Sequence, residues 1–145
     1  MAYIILNKNN FFSNLDIIAN RTKSVDKIAL VLKDNAYGHG LLDMASMASE
    51  YGVKRAVEQT SKEADAIESF FDYILVLADI PQKTNSKTRY TINDLTSIDK
   101  FPSGTKVELK VDTGMHRNGI DMSELKEAFL QIKRAGLILE AVFTH

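Results

Sequence analysis

The sequence predicts an α/β fold in which parallel strands alternate with helices. Short apolar runs rich in Val, Ile and Leu recur along the chain, and stretches whose apolar residues have helical spacing lie between them. Glycines and prolines fall at several of the junctions between these segments. Strands that alternate with helices imply a parallel sheet with right-handed crossovers.

The first elements are a helix, a strand and a second helix. The apolar side chains of the helix predicted for residues 9–23 share one face: Phe12, Leu15, Ile18 and Ala19. Residues 28–32 form a continuous apolar run, which is typical of a strand covered on both faces. Residues 41–51 have helical spacing again, and Gly52 closes that helix.

The later elements continue the alternation. A weak strand, a helix, a strong strand, a short strand and a helical piece follow at residues 55–57, 61–69, 73–77, 89–92 and 93–99. Residues 106–110 alternate with period two, and Val111 extends this strand. A helix at 122–135, with Ser123 as its cap and Gly136 as its stop, leads to a last apolar strand at 138–143.

These six strands fit two architectures. One is an open doubly wound sheet, and the other is a partial (β/α)8 TIM-type barrel with about six of the eight parallel strands. In both, chemistry is concentrated where the strands end. The distinctive segments of this chain all follow strands: residues 33–40, residues 112–119 and the terminal His145.

Composition excludes several classes of function. The 145 residues suit one domain, and 45% hydrophobic with 26% charged residues is typical of a globular protein with a core. A net charge of -1 provides no basic field for nucleic acid. Without cysteine there are no disulfides, thiolate metal sites or cysteine nucleophile, and we expect no metal. No stretch reaches membrane-spanning length and no signal-peptide pattern begins the chain, so we expect a cytoplasmic protein.

Lys33 is the first candidate for catalysis because it directly follows an apolar strand. Partial desolvation favours a neutral, nucleophilic amine, which can form a Schiff base with a carbonyl cofactor. The hydroxyl of Tyr37, the backbone N–H groups near Gly38 and Gly40, and the start of the next helix could together hold a phosphate. On these grounds alone, a solvated lysine beside a glycine turn is the more common interpretation.

Arg117 is the second candidate, in a loop that joins a strand to a helix through Gly114 and Gly119. An arginine held in such a loop can bind a carboxylate through two parallel hydrogen bonds or polarise a phenolic oxygen. A surface ion pair is the ordinary alternative for a single loop arginine.

Three segments resemble the alanine racemase family. Residues 32–40 read Leu-Lys-Asp-Asn-Ala-Tyr-Gly-His-Gly and resemble the family's cofactor-lysine motif, in which a strand-end lysine is followed by Ala-Tyr-Gly-His-Gly. Residues 110–119 read Lys-Val-Asp-Thr-Gly-Met-His-Arg-Asn-Gly and resemble its second signature. Residues 141–145, Ala-Val-Phe-Thr-His, are similar to its next strand, which ends in Thr-His and faces the cofactor.

The resemblance implies pyridoxal 5′-phosphate as the cofactor and a role for each matched residue. Lys33 would form the Schiff base and act as a catalytic base, and Tyr37 would contact the cofactor phosphate. Arg117 would approach the phenolic oxygen of the cofactor and the carboxylate of the substrate. Lys110 matches a lysine that many members carry as an N-carbamate, although a plain ion-paired lysine fits equally well. His145 would lie near the pyridine ring.

A few positions depart from the family pattern. Asp34 and Asn35 fall where the family has small or polar residues and receive no role, and His39 is expected to stabilise its loop. Asn118 stands where leucine is frequent. Glu58 lies where the family has an apolar strand, so either that strand is an exposed edge or Glu58 has a polar partner.

The resemblance further implies an isomerase that interconverts L- and D-alanine for peptidoglycan, from a parent protein that forms a homodimer. The chain would be an incomplete N-terminal cofactor-binding barrel domain, residues 1–145, lacking the last barrel strands and a C-terminal β domain. That domain carries the family's second base, a tyrosine supplied by the partner subunit, so we expect this truncated chain to be inactive alone. The alternatives are a non-catalytic cofactor-binding or structural fragment, and a racemase for another amino acid. Open strand edges predict that the isolated chain dimerises or aggregates.

Overall fold

The computed structural model of the chain describes residues 3–145. The strands are β1 Ala29–Val31, β2 Arg55–Glu58, β3 Tyr73–Val76, β4 Thr88–Ile92, β5 Lys106–Lys110 and β6 Ile138–Phe143. The helices are α1 Lys8–Thr22, α2 Lys33–Tyr37, α3 Leu41–Tyr51, α4 Ser61–Ile67 and α5 Leu125–Arg134, with 3-10 turns at Val25–Lys27, Leu95–Lys100 and Met122–Glu124. Each predicted strand is present within one or two residues, so the predicted α/β alternation is confirmed.

The chain forms two compact units, Met1–Ile74 and Leu75–His145. In the first unit β1 and β2 are parallel, with Val31 opposite Val57. In the second unit β4, β5 and β6 are parallel, and Leu109 of β5 lies opposite both Ile92 and Val142. The parallel pairing within each unit agrees with the prediction. In the residues from Tyr3 onward, no helix is long and apolar enough to cross a membrane.

β1 is less covered than its apolar sequence predicts. Ala29 is exposed and Val31 keeps 43% of its surface accessible, whereas Leu32 is 3% exposed. The prediction of a strand covered on both faces is therefore wrong for β1. The physical reason is that only one face is packed: Ile28 and Leu32, which flank β1, are 5% and 3% exposed, whereas Ala29 and Val31 point to the opposite face and are accessible.

β5 shows the opposite deviation. Its alternating sequence predicts a half-buried strand, yet every residue from Val107 to Lys110 is buried. Both edges of this strand are paired because it lies between β4 and β6, and its side chains are buried on both faces. As a result Glu108 and Lys110 are only 5% and 7% exposed, which is unusual for charged side chains.

The beginning of α5 differs from the prediction, and its end agrees. Ser123 is not the cap, because it lies inside the 3-10 turn Met122–Glu124 that precedes α5. That turn is capped by Asp121, whose carboxylate accepts from the backbone N–H of Ser123 at 2.8 Å. Glu124 accepts in return from the N–H of Asp121 at 2.9 Å, which completes a capping box. A carboxylate at this position satisfies the free N–H groups of the first turn and carries a favourable negative charge. Gly136, with φ 68°, follows the end of the helix as predicted.

Candidate functional site

Lys33 lies at the C-terminal end of β1, where the sequence predicts it. The N–H of Leu32 donates to the carbonyl of Val57 at 3.0 Å, so the pairing with β2 continues up to the residue before Lys33. The Lys33 side chain is 29% exposed, and its Nζ lies 3.9 Å from Asp34 Oδ2. A contact of that length with an exposed carboxylate contributes little stability. The amine is thus partly shielded and still accessible.

The segment after Lys33 is a left-handed turn. Asp34, Asn35, Ala36 and Tyr37 all have φ between 52° and 56°. In this region each residue other than glycine costs roughly 1–2 kcal/mol of conformational free energy, because its Cβ approaches the following carbonyl oxygen. The sequence predicted a loop over residues 35–40 but not its left-handed backbone, which already begins at Asp34. Adjacent Asp and Asn, which tolerate this conformation best, were the available signal.

The backbone N–H and carbonyl groups of this turn form hydrogen bonds with one another. N–H groups of the glycine segment donate to carbonyls of the turn: Gly38 to Asp34 (3.2 Å) and Asn35 (3.1 Å), His39 to Ala36 (3.0 Å), and Gly40 to Asn35 (3.0 Å). The N–H of Leu41, at the start of α3, donates to Asn35 Oδ1 at 2.8 Å. The N–H groups of Gly38, His39, Gly40 and Leu41 thus already have acceptors within the turn, and phosphate binding by backbone N–H groups of this segment stays a prediction. The hydroxyl-bearing ring of Tyr37 is 59% exposed.

Two residues without an assigned function stabilise the turn. Asn35 caps α3 through the bond to Leu41. His39 Nδ1 lies 2.9 Å from the carbonyl oxygen of Ala36, which agrees with the expected role of this histidine in its loop.

Glu63 connects the turn to the start of α4. Its Oε1 accepts from the N–H of Asp34 at 2.8 Å, and its Oε2 accepts from the N–H groups of Gln59 and Thr60 at 3.2 and 3.1 Å. The hydroxyl of Thr60 accepts from the Glu63 N–H at 3.3 Å, so the two residues form a capping box. Sequence reasoning missed Glu63, although the Thr-x-x-Glu spacing was visible. A pocket of about 530 Å³ opens beside these residues.

Glu58, at the end of β2, is completely buried. Its side chain is 0% exposed, and within residues 3–145 neither carboxyl oxygen has a hydrogen-bond partner. Burial, followed by the charges of Glu63 and Asp34, raises the pKa of Glu58 to about 8. Of the two explanations from sequence, the exposed strand is wrong and the described residues supply no polar partner. A pKa of about 8 favours the protonated, neutral form of Glu58 at neutral pH.

In the second unit, the loop 112–119 is closed at its base. The N–H of Asp112 donates to the carbonyl of Ile120, and the N–H of Ile120 donates to the carbonyl of Lys110, both at 2.9 Å. Asp112 Oδ1 accepts from the N–H groups of Gly114 and His116 at 2.9 and 3.1 Å. These bonds hold the pKa of the Asp112 carboxyl below its usual value. The loop therefore has a defined path.

The predicted residues of this unit lie on or beside that loop. Arg117 is exposed, and the described chain shows no ion pair for its guanidinium. Lys110 is buried in β5, directly before the loop. His145 is exposed after β6, and Thr144 Oγ1 lies 2.6 Å from Thr113 Oγ1, which joins the end of β6 to the loop. In each unit, then, the predicted residues lie at or next to the C-terminal ends of parallel strands.

The described residues contain no group of three acidic or histidine side chains arranged to hold a metal ion. The chemistry available in the first unit is that of an accessible amine and a phenol, Lys33 and Tyr37. In the second unit it is that of an exposed guanidinium and an imidazole, Arg117 and His145. Amine and guanidinium groups suit carbonyl and oxyanion ligands respectively.

Proteins named alanine racemase are similar in sequence to this chain. The family model described as alanine racemase, N-terminal domain, matches residues 6–145. An alanine racemase of Nitratiruptor sp. is 46% identical over 145 residues, covering 100% of this chain and 43% of the relative. One from Campylobacter curvus is 42% identical over 146 residues, again covering 100% of this chain and 43% of the relative. The chain thus spans less than half the length of the curated relatives it matches.

Solved structures share the fold. An alanine racemase from Bacillus anthracis with bound L-Ala-P has a TM-score of 0.81 at 27% identity, covering 95% of this chain and 40% of that one. A histidine racemase from Leuconostoc mesenteroides has a TM-score of 0.82 at 26% identity, covering 95% and 41%. The predicted fold class, a partial (β/α)8 barrel, is confirmed by this similarity. The chain belongs to the alanine racemase family, whose N-terminal domain it matches.

Proposed function

We propose that this chain is the part of a pyridoxal-phosphate-dependent alanine racemase that carries the cofactor lysine. The observation that carries the proposal is Lys33. Its partly shielded amine stands at the end of a parallel strand, directly before the Ala-Tyr-Gly-His-Gly segment, in a chain of the alanine racemase family. As a domain, residues 1–145 would be the incomplete cofactor-binding barrel.

The chemistry of the side chains fits pyridoxal 5′-phosphate. Lys33 offers a primary amine whose side chain is 29% exposed, which leaves access for an aldehyde. The exposed phenol of Tyr37 can donate to a phosphate oxygen. The N–H groups of Gly38, His39, Gly40 and Leu41 already have acceptors, which favours the Tyr37 hydroxyl as a phosphate contact from this segment.

Each residue would then have a defined task. When bound, the cofactor supplies an electron sink that makes the α-proton of an amino acid acidic. Lys33 Nζ would hold the cofactor and take or return that proton on one face of the substrate. Arg117 would bind an oxyanion of the cofactor or the substrate carboxylate. Lys110 would orient Arg117, as an N-carbamate or as a plain lysine, and His145 would lie against the cofactor ring.

For the whole protein, we propose an alanine substrate, D-alanine supply to peptidoglycan and a homodimer. The support is the set of relatives named alanine racemase, at up to 46% identity among those compared. Because a second base would come from a partner subunit, this chain by itself is expected to bind cofactor without racemising alanine. A substrate with another side chain is the second candidate, since the histidine racemase of Leuconostoc mesenteroides has a similar fold.

The test is to trap the cofactor on its lysine. Pyridoxal phosphate is added to the chain, borohydride reduces any Schiff base, and peptide mass spectrometry locates the adduct. We expect one dominant adduct, at Lys33, and its loss in Lys33→Ala. Lys62→Ala, which removes an exposed lysine of α4, is the matched control and should label as the wild type does. Equal labelling of many lysines, or an unchanged pattern in Lys33→Ala, would refute the proposal.

A further inference from the structure

Lys33 is followed by four residues in a conformation that is unfavourable for L-amino acids. Such a turn persists only where surrounding contacts compensate for it. Most of its hydrogen bonds are local and run between residues 32 and 41. Local bonds can stabilise the shape of the turn, but they do not hold it against the rest of the first unit.

Glu63 provides a bond of a different kind. Its Oε1 accepts the N–H of Asp34, the residue next to Lys33, at 2.8 Å and across 29 positions of sequence. A bond from an N–H to a carboxylate is among the stronger hydrogen bonds in proteins. The other carboxylate oxygen accepts from Gln59 and Thr60, so the side chain is held in place at the start of α4.

We infer that Glu63 is a positioning residue for Lys33: its carboxylate anchors the left-handed turn to the start of α4 and so sets the direction of the lysine amine. The inference rests on the proposed role of Lys33 as the cofactor lysine. A neutral glutamine could not replace Glu63 fully. Its amide has one acceptor oxygen, and its NH₂ group would face N–H donors on one side.

The second capping box of the chain gives a matched comparison. Glu124 occupies the same place in the turn before α5 and accepts from the N–H of Asp121 at 2.9 Å. The bonds found for Glu124 are confined to that turn. Replacing Glu124 should therefore affect capping alone, whereas replacing Glu63 should affect capping and the turn of Lys33.

The experiment compares Glu63→Ala with Thr60→Ala and Glu124→Ala. Thr60→Ala removes the hydroxyl that accepts the Glu63 N–H and donates to Glu63 Oε2 at 3.2 Å, and it leaves the bond from the Asp34 N–H to Glu63 Oε1. Two quantities are measured: hydrogen exchange of peptides covering residues 33–40, and the pyridoxal phosphate concentration that gives half-maximal borohydride-trapped adduct at Lys33. For Glu63→Ala we expect faster exchange and a rise of at least about fivefold in the half-maximal concentration. A rise of this size corresponds to the loss of one charged hydrogen bond. Both controls should stay within about twofold of the wild type.

The outcomes separate this inference from the proposed function. If the wild type forms no adduct at Lys33, the proposed function fails, while the exchange measurement still tests the anchor. If the wild type is labelled and Glu63→Ala has the same half-maximal concentration and exchange, the inference is overturned. Should Glu63→Ala not fold, Glu63→Gln keeps the side-chain volume and is expected to show the same changes to a smaller degree.

Discussion

Replacing Glu58 by glutamine is expected to stabilise the chain at pH 8 by on the order of 3 kcal/mol, with little change at pH 5. The ordinary pKa of this carboxyl is 4.5, and the folded state raises it to about 8. Between these values the unfolded chain releases a proton that the folded chain keeps. Stability is therefore greatest below pH 4.5 for this group and falls as the pH rises toward 8. Glutamine has similar size and no proton to release.

Chemical unfolding of wild type and Glu58→Gln at several pH values between 5 and 8 checks this expectation. The wild type should lose stability across the range, and the variant should lose much less. Asp112 and Asp121, whose pKa values are lowered, titrate below this window and do not interfere. Glu127→Gln makes the same chemical change at an exposed site of α5 and should keep the wild-type slope. Parallel pH profiles for wild type and Glu58→Gln would contradict the burial of a neutral acid.

Replacing Gly119 by alanine is expected to destabilise the second unit by roughly 3 kcal/mol or more. A Cβ at this position would lie 2.7 Å from the Asp112 nitrogen and 2.9 Å from the Val111 carbonyl carbon, and φ is 121°. Both neighbours are backbone atoms at the closed base of the loop, so neither can move without breaking the bonds between Asp112, Ile120 and Lys110. The loop that carries Arg117 therefore requires glycine here.

Gly114→Ala is the matched control, because it has φ 130° but no atom within 4 Å of the added Cβ. It should cost only backbone strain, about 1–2 kcal/mol. Urea unfolding measures both variants, and hydrogen exchange at Asp112 and Ile120 reports whether the base of the loop has opened. Equal stability of the two variants would show that the close approach at Gly119 does not matter.

The spacing of apolar residues predicted most of the helices and strands, because these elements depend on residues that are close in sequence. The spacing that predicts α3 at residues 41–51 matches the helix Leu41–Tyr51, and Gly52 ends it with φ 103°. Burial was predicted less well, since it depends on what packs from elsewhere. β1 has an apolar sequence and β5 an alternating one, yet β1 is partly exposed and β5 is buried.

The candidate site was likewise predicted in part from the sequence and revealed in part only by the structure. The sequence alone placed Lys33 at a strand end and identified the segments around Lys110, Arg117 and His145 by their likeness to a family. It also flagged Glu58 as out of place, but neither of the explanations offered for that residue was correct. It did not reveal Glu63, because the significance of a capping glutamate depends on a bond to a residue 29 positions earlier.

What the sequence determined by itself is the order of strands and helices and the family. It also named the candidate site residues, whose roles stay predictions. These follow from periodicity and motif, which are properties of neighbouring residues. The tertiary structure alone decided that the turn after Lys33 is left-handed, that Glu63 accepts the N–H of Asp34 and that Glu58 is buried with a raised pKa. Those three features arise when segments distant in the chain are packed together, where contact and loss of water change the stability of a backbone conformation or a charge.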